Sequence, residues 1–160
     1  MLTVSDLPAQ ALQNLLDPYS ILLKLVANNE PIPGSFWGDS EAGLIKNELY
    51  VRPETPVHSA LHEACHYICL DSARRNALHT DAGGDYDEEN AVCYLQILLA
   101  TKLSGCSADI LMKNMDSWGY TFRLGSAFAW FHEDAEDAQQ WLSREKLIDQ
   151  NNSPTWRLRR

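Results

Sequence analysis

The spacing of apolar residues predicts a mainly helical chain with one short extended region. Apolar side chains recur at helical intervals over residues 5–28, with an interruption at Asp17-Pro18. A loop rich in Pro, Gly, Ser and Asn follows over 29–43. Two short apolar pieces then flank the polar turn Lys46-Asn47-Glu48, and this pattern predicts a β-hairpin over 43–52.

The second half of the chain is predicted to be helical. Thr55 and Pro56 suit the N-cap and first position of a helix that continues to about residue 71. Because nothing repeats and no boundary is visible, we expect an α+β fold: one mostly helical domain over 1–150, with a small hairpin or sheet beside helix 56–71, and a flexible basic tail over 151–160. Further helices are expected over 87–102, 107–118 and 126–147, after connectors 72–86 and 119–125.

The helix predicted over 56–71 contains a pattern that binds metal in other proteins. His62-Glu63-Ala64-Cys65-His66 fits HExxH. Residues four apart lie on one face of a helix, so the two imidazoles can converge on one ion. Glu63 is rotated by roughly 100° from His62 and can sit beside the metal without ligating it. We therefore predict one zinc ion held by His62 and His66, with Glu63 as the general base that takes a proton from the zinc-bound water.

The helical wheel separates these histidines from the residues that the helix must bury. His62 and His66 lie roughly 120° to 180° from the apolar stripe. Histidines with a purely structural role in the core would lie on that stripe, and a solvated face would not need this spacing. The pattern therefore favours a metal site. The stripe consists of Val57, Leu61, Ala64 and Ile68.

A third ligand is expected from the next long helix. Glu88 shares the face of the apolar residues that follow it, so it points inward, where a carboxylate needs a metal or another strong partner. We rank Glu88 above Glu89, which lies on the flank, and above His79 in the connector. Glu88 also has a structural alternative, since it could complete a capping box with Asp85.

Part of the chain resembles the gluzincin branch of zinc metallopeptidases, in particular the small single-domain ImmA/IrrE-type peptidases. The resemblance covers about residues 44–100 and rests on ELYVRPETPVHSALHEACH and the later DEENAVCYLQ. It implies a minimal zincin-like fold: a strand, a turn, the HExxH helix, and a second helix with a glutamate ligand. It also implies that an edge strand at Leu49, Tyr50 and Val51 binds extended peptide substrate by strand addition.

Several other polar residues are weaker candidates for the same site. His58, one turn before His62, is either a neighbour of the ligands or first-turn surface. A ligating histidine usually donates its other N–H to an acceptor, and Asp71 or Asp81 could serve. Tyr120 and Arg123 could stabilise an oxyanion, although a structural role is the alternative for each. The run His132-Glu133-Asp134 is predicted to be a solvated acidic face.

Composition narrows the class of function. The net charge of −9 argues against nucleic acid or an anionic membrane surface as the main partner. The four cysteines lack CxxC spacing and the first residues lack the pattern of a secretory signal, so we expect reduced thiols and a cytoplasmic protein. The sequence thus predicts a zinc-dependent peptidase that acts on peptides or proteins. The alternatives are a non-catalytic, metal-stabilised interaction protein derived from a peptidase, and a hydrolase of non-peptide amides or esters.

Overall fold

The computed structural model describes residues 1–35, 41–79 and 82–160. These residues form a single α+β domain, as predicted, with a three-stranded sheet beside a helical core. The strands are β1 (Leu22–Leu25), β2 (Gly43–Ile45) and β3 (Glu48–Val51), and the helices are α1 (Ala11–Leu16), α2 (Val57–Cys69), α3 (Ser72–Asn76), α4 (Tyr86–Ala100), α5 (Ala108–Trp118), α6 (Ala127–Glu133) and α7 (Glu136–Arg144).

The predicted hairpin is confirmed, and a third strand extends it. Strands β2 and β3 pair antiparallel across a turn in which Lys46 has a positive φ of 52°. Strand β1 pairs parallel to β3, so the strand order is β1-β3-β2.

The prediction of helix throughout 5–28 is wrong at both ends. Val4–Asp6 form a 3-10 turn, and α1 begins only at Ala11. Helix α1 stops at Leu16, a 3-10 turn covers Asp17–Tyr19, and Ser20 adopts the left-handed conformation with a φ of 57°. The chain then turns into strand β1. A short apolar run is compatible with both helix and strand, and pairing with β3 decides the outcome here.

Strand β3 is the central strand, which contradicts its predicted use as an edge for substrate. The backbone of Leu49, Tyr50 and Val51 is already paired with β1 on one side, and Leu49 and Tyr50 also pair with β2 on the other. The outer side of β2 is also covered. A Cβ on Gly34 would lie 2.8 Å from the backbone N and O of Leu44, and Ile45 forms a bridge with His79. Strand addition along residues 49–51 is therefore excluded.

Helices α2 and α4 pack together at the centre of the domain. Both agree closely with prediction, and α2 begins one residue late, with Pro56 at the N-cap. The Thr55 hydroxyl does not cap α2; it accepts a 2.8 Å hydrogen bond from the Arg52 N–H. The helix predicted over 126–147 is two helices, because the chain breaks at Asp134 and Ala135 before α7.

Residues 151–160 are not the solvated tail that we expected. Pro154 forms a β-bridge with Ile148, and the Trp156 ring lies 5.7 Å from the ring of Tyr19. The backbone N–H of Arg159 donates a 3.0 Å hydrogen bond to the carbonyl of Ile68 in α2. The segment therefore returns to the helix that carries the HExxH pattern.

Two further observations concern cysteines and membrane association. The four cysteine thiols are free, and Cys65, Cys69 and Cys93 are buried. Burial raises the pKa of the Cys65 and Cys69 thiols, which keeps them protonated. Across residues 1–35, 41–79 and 82–160, no helix has the length and apolar character needed to cross a membrane.

Candidate metal centre

Helix α2 presents its two HExxH histidines to the first turn of α4. The Nε2 atoms of His62 and His66 lie 3.1 Å apart, and the rings are nearly perpendicular, at 86°. The Glu89 carboxylate lies across both imidazoles, with one oxygen 3.0 Å from His62 Nε2 and the other 3.2 Å from His66 Nε2. His62, His66 and Glu89 are the group of potential metal ligands found within the described residues.

The spacing of these atoms fits a tetrahedral metal ion. Nitrogens bound at roughly 2.0–2.1 Å to a tetrahedral zinc lie about 3.3 Å apart, and a carboxylate oxygen lies at a similar distance from each nitrogen. The distances of 3.0–3.2 Å among these atoms are close to that value. Two imidazole nitrogens facing one carboxylate also need a shared proton or a cation between them. Two histidines and one glutamate are a ligand set that zinc and other first-row divalent ions accept.

The electrostatics of the cluster point the same way. Burial opposes the carboxylate form of Glu89, but hydrogen bonds and charge from His62 and His66 outweigh it and hold its pKa well below the usual range. Burial likewise opposes protonation of His62, but Tyr120, Cys93 and Glu89 together raise the pKa of that imidazole. The site therefore keeps a carboxylate ionised and attracts positive charge.

The prediction of Glu88 as the third ligand is not supported by this geometry. The Glu88 carboxylate is buried, as expected, but its partners are arginines. Arg74 donates to both of its oxygens, at 2.7 and 2.9 Å, and Arg159 donates at 3.1 Å. Its backbone N–H donates a 2.9 Å hydrogen bond to the Asp85 carboxylate, which caps α4. The strong partner that a buried carboxylate requires is thus an ion pair, and Glu89 is the carboxylate that meets the imidazoles.

The face of α4 that meets α2 carries polar residues spaced by four and then three. Glu89, Cys93 and Gln96 follow each other at helical spacing, and each of them contacts His62 or bears on its charge. Sequence reasoning placed Glu89 on this flank but ranked it below Glu88, because it followed the apolar stripe through Glu88. A glutamine placed seven residues after Glu89, within an apolar helix, was the available signal.

Gln96 fixes the orientation of His62. It is fully buried, and its amide Nε2 donates a 2.7 Å hydrogen bond to the backbone carbonyl of His58. The amide oxygen therefore faces His62 Nδ1, at 3.0 Å. This arrangement places a proton on Nδ1 and directs Nε2 towards Glu89, which is the support that a ligating histidine requires. By contrast, His66 Nδ1 is buried and has no hydrogen-bond partner within the described residues.

His58 and Tyr120 form a second pair beside the cluster. His58 is buried rather than on the surface, and its Nδ1 lies 3.2 Å from the Tyr120 hydroxyl. Burial lowers the pKa of His58 to about 4, so its imidazole is neutral at pH 7. The Tyr120 ring lies 5.6 Å from the ring of His62, edge to face. Tyr120 therefore lies beside His62 and contacts His58, a position compatible with both roles considered for it, oxyanion donor and structural residue.

Glu63 lies on α2 between the two histidines and is half-buried. Burial raises the pKa of the Tyr120 phenol, and the charge of Glu63 contributes to that increase. The charge of Glu63 is therefore felt at the Tyr120 phenol.

The remaining candidates lie elsewhere or outside the described residues. Arg123 forms an exposed ion pair with Asp134, with contacts of 2.5 and 2.6 Å. Asp134 belongs to the acidic run that we predicted to be solvated, so one carboxylate of that run has a partner. Asp71 caps α3 by accepting from the Arg74 N–H, at 2.9 Å. His79 bridges to Ile45 rather than joining the metal ligands. Asp81 falls outside the described residues.

Comparisons of this chain with known protein families, with curated proteins and with solved structures find no match.

Proposed function

We propose that the chain is a zinc-dependent hydrolase of peptide bonds, with one zinc per chain held by His62, His66 and Glu89. The observation that carries the proposal is the convergence of these three groups from two helices, beside the acidic residue of an intact HExxH pattern. The ligands come from rigid helices, and Gln96 supports one of them, so the site is organised before any ion binds.

The number of ligands supports a catalytic rather than a structural site. Structural zinc sites fill four positions with protein groups, whereas catalytic sites leave one to water or substrate. Within the described residues the cluster supplies three groups. A zinc ion held there would polarise a carbonyl and lower the pKa of a coordinated water to about 7.

The protein side of the proposed reaction is a proton transfer and an anion contact. Glu63 takes a proton from the attacking water and passes it to the leaving amine, since its position on α2 puts it beside the ligands but not among them. Tyr120 donates a hydrogen bond from its phenol O–H to the oxyanion that develops on the attacked carbonyl. Neutral His58 positions the Tyr120 hydroxyl, with its Nδ1–H donating to the phenol oxygen. The phenol O–H is then available to donate to the substrate.

The resemblance to small gluzincin peptidases supports peptide as the substrate class. The order of elements is similar: strand β3, a short turn, α2 with HExxH, and then α4 with a glutamate that meets the histidines. The departure from that pattern is the mode of substrate binding, because β3 has no free edge. The competing proposal, a metal-stabilised interaction protein, would not need Glu63.

Metal content and one isosteric variant test the proposal. Protein purified without added metal is measured for zinc, and Glu63→Gln is compared with Glu133→Gln, a matched change at an exposed carboxylate on α6. Each is incubated with a peptide library, and cleavage is read by mass spectrometry. We expect about one zinc in every protein, cleavage by wild type and Glu133→Gln, and none by Glu63→Gln. A wild-type protein that neither holds nor takes up zinc contradicts the proposal, as does full activity in Glu63→Gln.

A further inference from the structure

Helix α4 is buried on all sides over most of its length. Every residue from Ala91 to Ala100 is buried, because α4 packs against α2 on one side and α7 on another. A buried helix with mostly apolar residues on every side gains similar hydrophobic burial in many rotations about its own axis. Hydrophobic burial alone therefore specifies the rotation of α4 poorly, and the metal site depends on that rotation through Glu89.

The first turn of α4 carries a charged group with closely fitted partners. Arg74 donates hydrogen bonds to both carboxylate oxygens of Glu88, and Arg159 donates a third. The approach is close enough that a Cβ on Gly84 would lie 2.1 Å from a Glu88 carboxylate oxygen. A bidentate arginine-carboxylate pair is directional as well as strong, so it fixes where Glu88 points.

Arg159 connects this turn of α4 to α2 and α7. Its guanidinium donates a 3.1 Å hydrogen bond to the carbonyl of Cys69, and its backbone N–H donates to Ile68, both at the end of α2. The same guanidinium lies 4.9 Å over the ring of Trp141 in α7. One side chain thus joins the helix that carries the histidines to the helix that carries Glu89.

We infer that the ionic cluster of Glu88, Arg74 and Arg159 sets the rotation of α4 and thereby directs Glu89 onto the two imidazoles. Glu88 and Glu89 are adjacent and roughly 100° apart around the helix, so fixing one fixes the other. The inference rests on the proposed metal site and adds positioning residues that touch neither metal nor substrate. It also gives residues 151–160 a role, because Arg159 reaches the first turn of α4 from that segment.

Glu88 is buried and its two arginines are partly buried, and in some proteins such ionic groups specify an arrangement rather than add stability. Removing charges from water costs free energy that their mutual attraction offsets only with good geometry. Loss of the cluster should therefore be visible in the metal site even when the domain remains folded. A purely stabilising cluster would instead lower the unfolding temperature and leave the metal affinity of the folded protein unchanged.

The experiment uses the full chain and three variants. Arg159→Met keeps the apolar stem over Trp141 and removes the charge, and Arg159→Lys keeps the charge without the fork. Arg123→Met is the control, since it makes the same change in the exposed ion pair with Asp134. Zinc dissociation constants are measured by competition with a chromophoric chelator, and bound Co²⁺ reports the ligand geometry by its visible spectrum. Thermal unfolding of the metal-free proteins shows that each is folded at the temperature used.

We expect Arg159→Met to weaken zinc binding on the order of 10-fold and to change the Co²⁺ spectrum, with Arg159→Lys between it and wild type. Arg123→Met should match wild type. Glu88→Gln should behave like Arg159→Met; should that variant not fold, the two Arg159 variants decide. Wild-type zinc affinity and spectrum in folded Arg159→Met overturn the inference and leave the metal site intact. A wild type that binds no zinc overturns the metal site, and this inference with it.

Discussion

Helix α4 meets its two neighbours through interfaces of opposite character. Towards α2 it presents Glu89 and Gln96 to two imidazoles. The Glu89 carboxylate contacts both rings, and the Gln96 amide contacts one of them. Towards α7 it packs against a largely apolar surface that includes Leu142, and the buried hydroxyl of Tyr94 accepts two hydrogen bonds.

The difference separates binding from stability within one helix. On the α7 side the buried residues are mainly apolar and the Tyr94 hydroxyl has two hydrogen-bond partners, as the core of a small domain requires. The α2 side holds charged and titratable groups at close range, which a core avoids unless a ligand or a reaction uses them. Substitutions on the two sides of α4 should therefore change different measured quantities.

The largest expected effect is loss of metal on the α2 side. We expect His66→Ala to weaken zinc binding by more than about 100-fold, since removing a ligand exceeds the 10- to 100-fold cost of removing an outer partner. The metal-free unfolding temperature should change much less. Competition titration and thermal unfolding measure the two quantities, with His132→Ala, an exposed histidine on α6, as the control. Unchanged zinc affinity in His66→Ala would show that His66 is not a ligand and would contradict a metal site on α2.

The reverse result is expected on the α7 side. Leu142 is fully buried, and Leu142→Ala removes packing and leaves a cavity, so it should lower the free energy of unfolding by about 2–5 kcal/mol. Zinc affinity of the folded variant should stay within about two-fold of wild type, because distant sites act independently. Denaturant unfolding and zinc competition test this pair. A large fall in zinc affinity here would mean that the two faces of α4 are coupled.

A pH dependence should also arise on the α2 side, through His58. Its pKa is about 4 in the folded protein and 6.5 as the ordinary value, because burial disfavours the charged imidazole. The neutral form therefore stabilises the fold fully above pH 6.5, and this contribution is lost as the pH falls towards 4. Between pH 7 and 5 we expect His58 to contribute a loss of about 2 kcal/mol to the free energy of unfolding of the metal-free protein.

His58→Phe serves as the comparison for this pH dependence, since it cannot be protonated. Denaturant unfolding of both metal-free proteins at pH 7 and at pH 5 gives the contribution of His58 as the difference between the two losses. Equal losses in wild type and variant would show that His58 is protonated as readily in the folded protein as in the unfolded chain.

Local patterns predicted the elements of the site better than the contacts between them. The position of α2 and the face that carries His62 and His66 followed from helical spacing, and the hairpin followed from a polar turn between apolar pieces. Both depend on neighbours in sequence. The prediction for the residues of β1 was wrong, because their partner strand β3 lies more than twenty residues away. No local signal separates a short apolar strand from a helix.

The choice between Glu88 and Glu89 shows a different limit. The prediction that Glu88 points inward is confirmed, since it is buried. The identity of its partner depended on Arg74 in α3 and on Arg159, seventy-one residues further along the chain. Without that long-range ion pair, a metal and a capping box with Asp85 were the explanations considered for this carboxylate. The rotational position of a residue on one helix therefore predicts whether its side chain is buried, but it does not predict which group its side chain contacts.

Gln96 allows a sharper test of the α2 side, without removing a ligand. We expect Gln96→Leu to weaken zinc binding 10- to 100-fold, because His62 loses the acceptor that orients its ring. The loss corresponds to about 1.4–2.7 kcal/mol of binding free energy. Gln96→Glu restores an acceptor at the same position and should recover part of the affinity. Zinc affinity equal to wild type in Gln96→Leu would show that packing alone orients His62.

The smallest effect is expected from the matched polar group on the α7 side. The Tyr94 hydroxyl accepts hydrogen bonds from Gln139, at 2.6 Å, and from Asn152, at 2.7 Å. Tyr94→Phe removes this acceptor while keeping the ring. Both amides are partly exposed and can turn to water, so the cost should be about 1 kcal/mol of unfolding free energy rather than the full penalty of a buried, unpaired donor. Zinc affinity should not change.

Denaturant unfolding and chelator competition, run beside Gln96→Leu, give the direct contrast between two buried polar groups that lie two residues apart on α4. Loss of the Gln96 amide should change metal binding, and loss of the Tyr94 hydroxyl should change stability. A loss of zinc affinity in Tyr94→Phe comparable to that in Gln96→Leu would show that α4 transmits any polar defect to the metal site, and the separation between its two faces would then be incorrect.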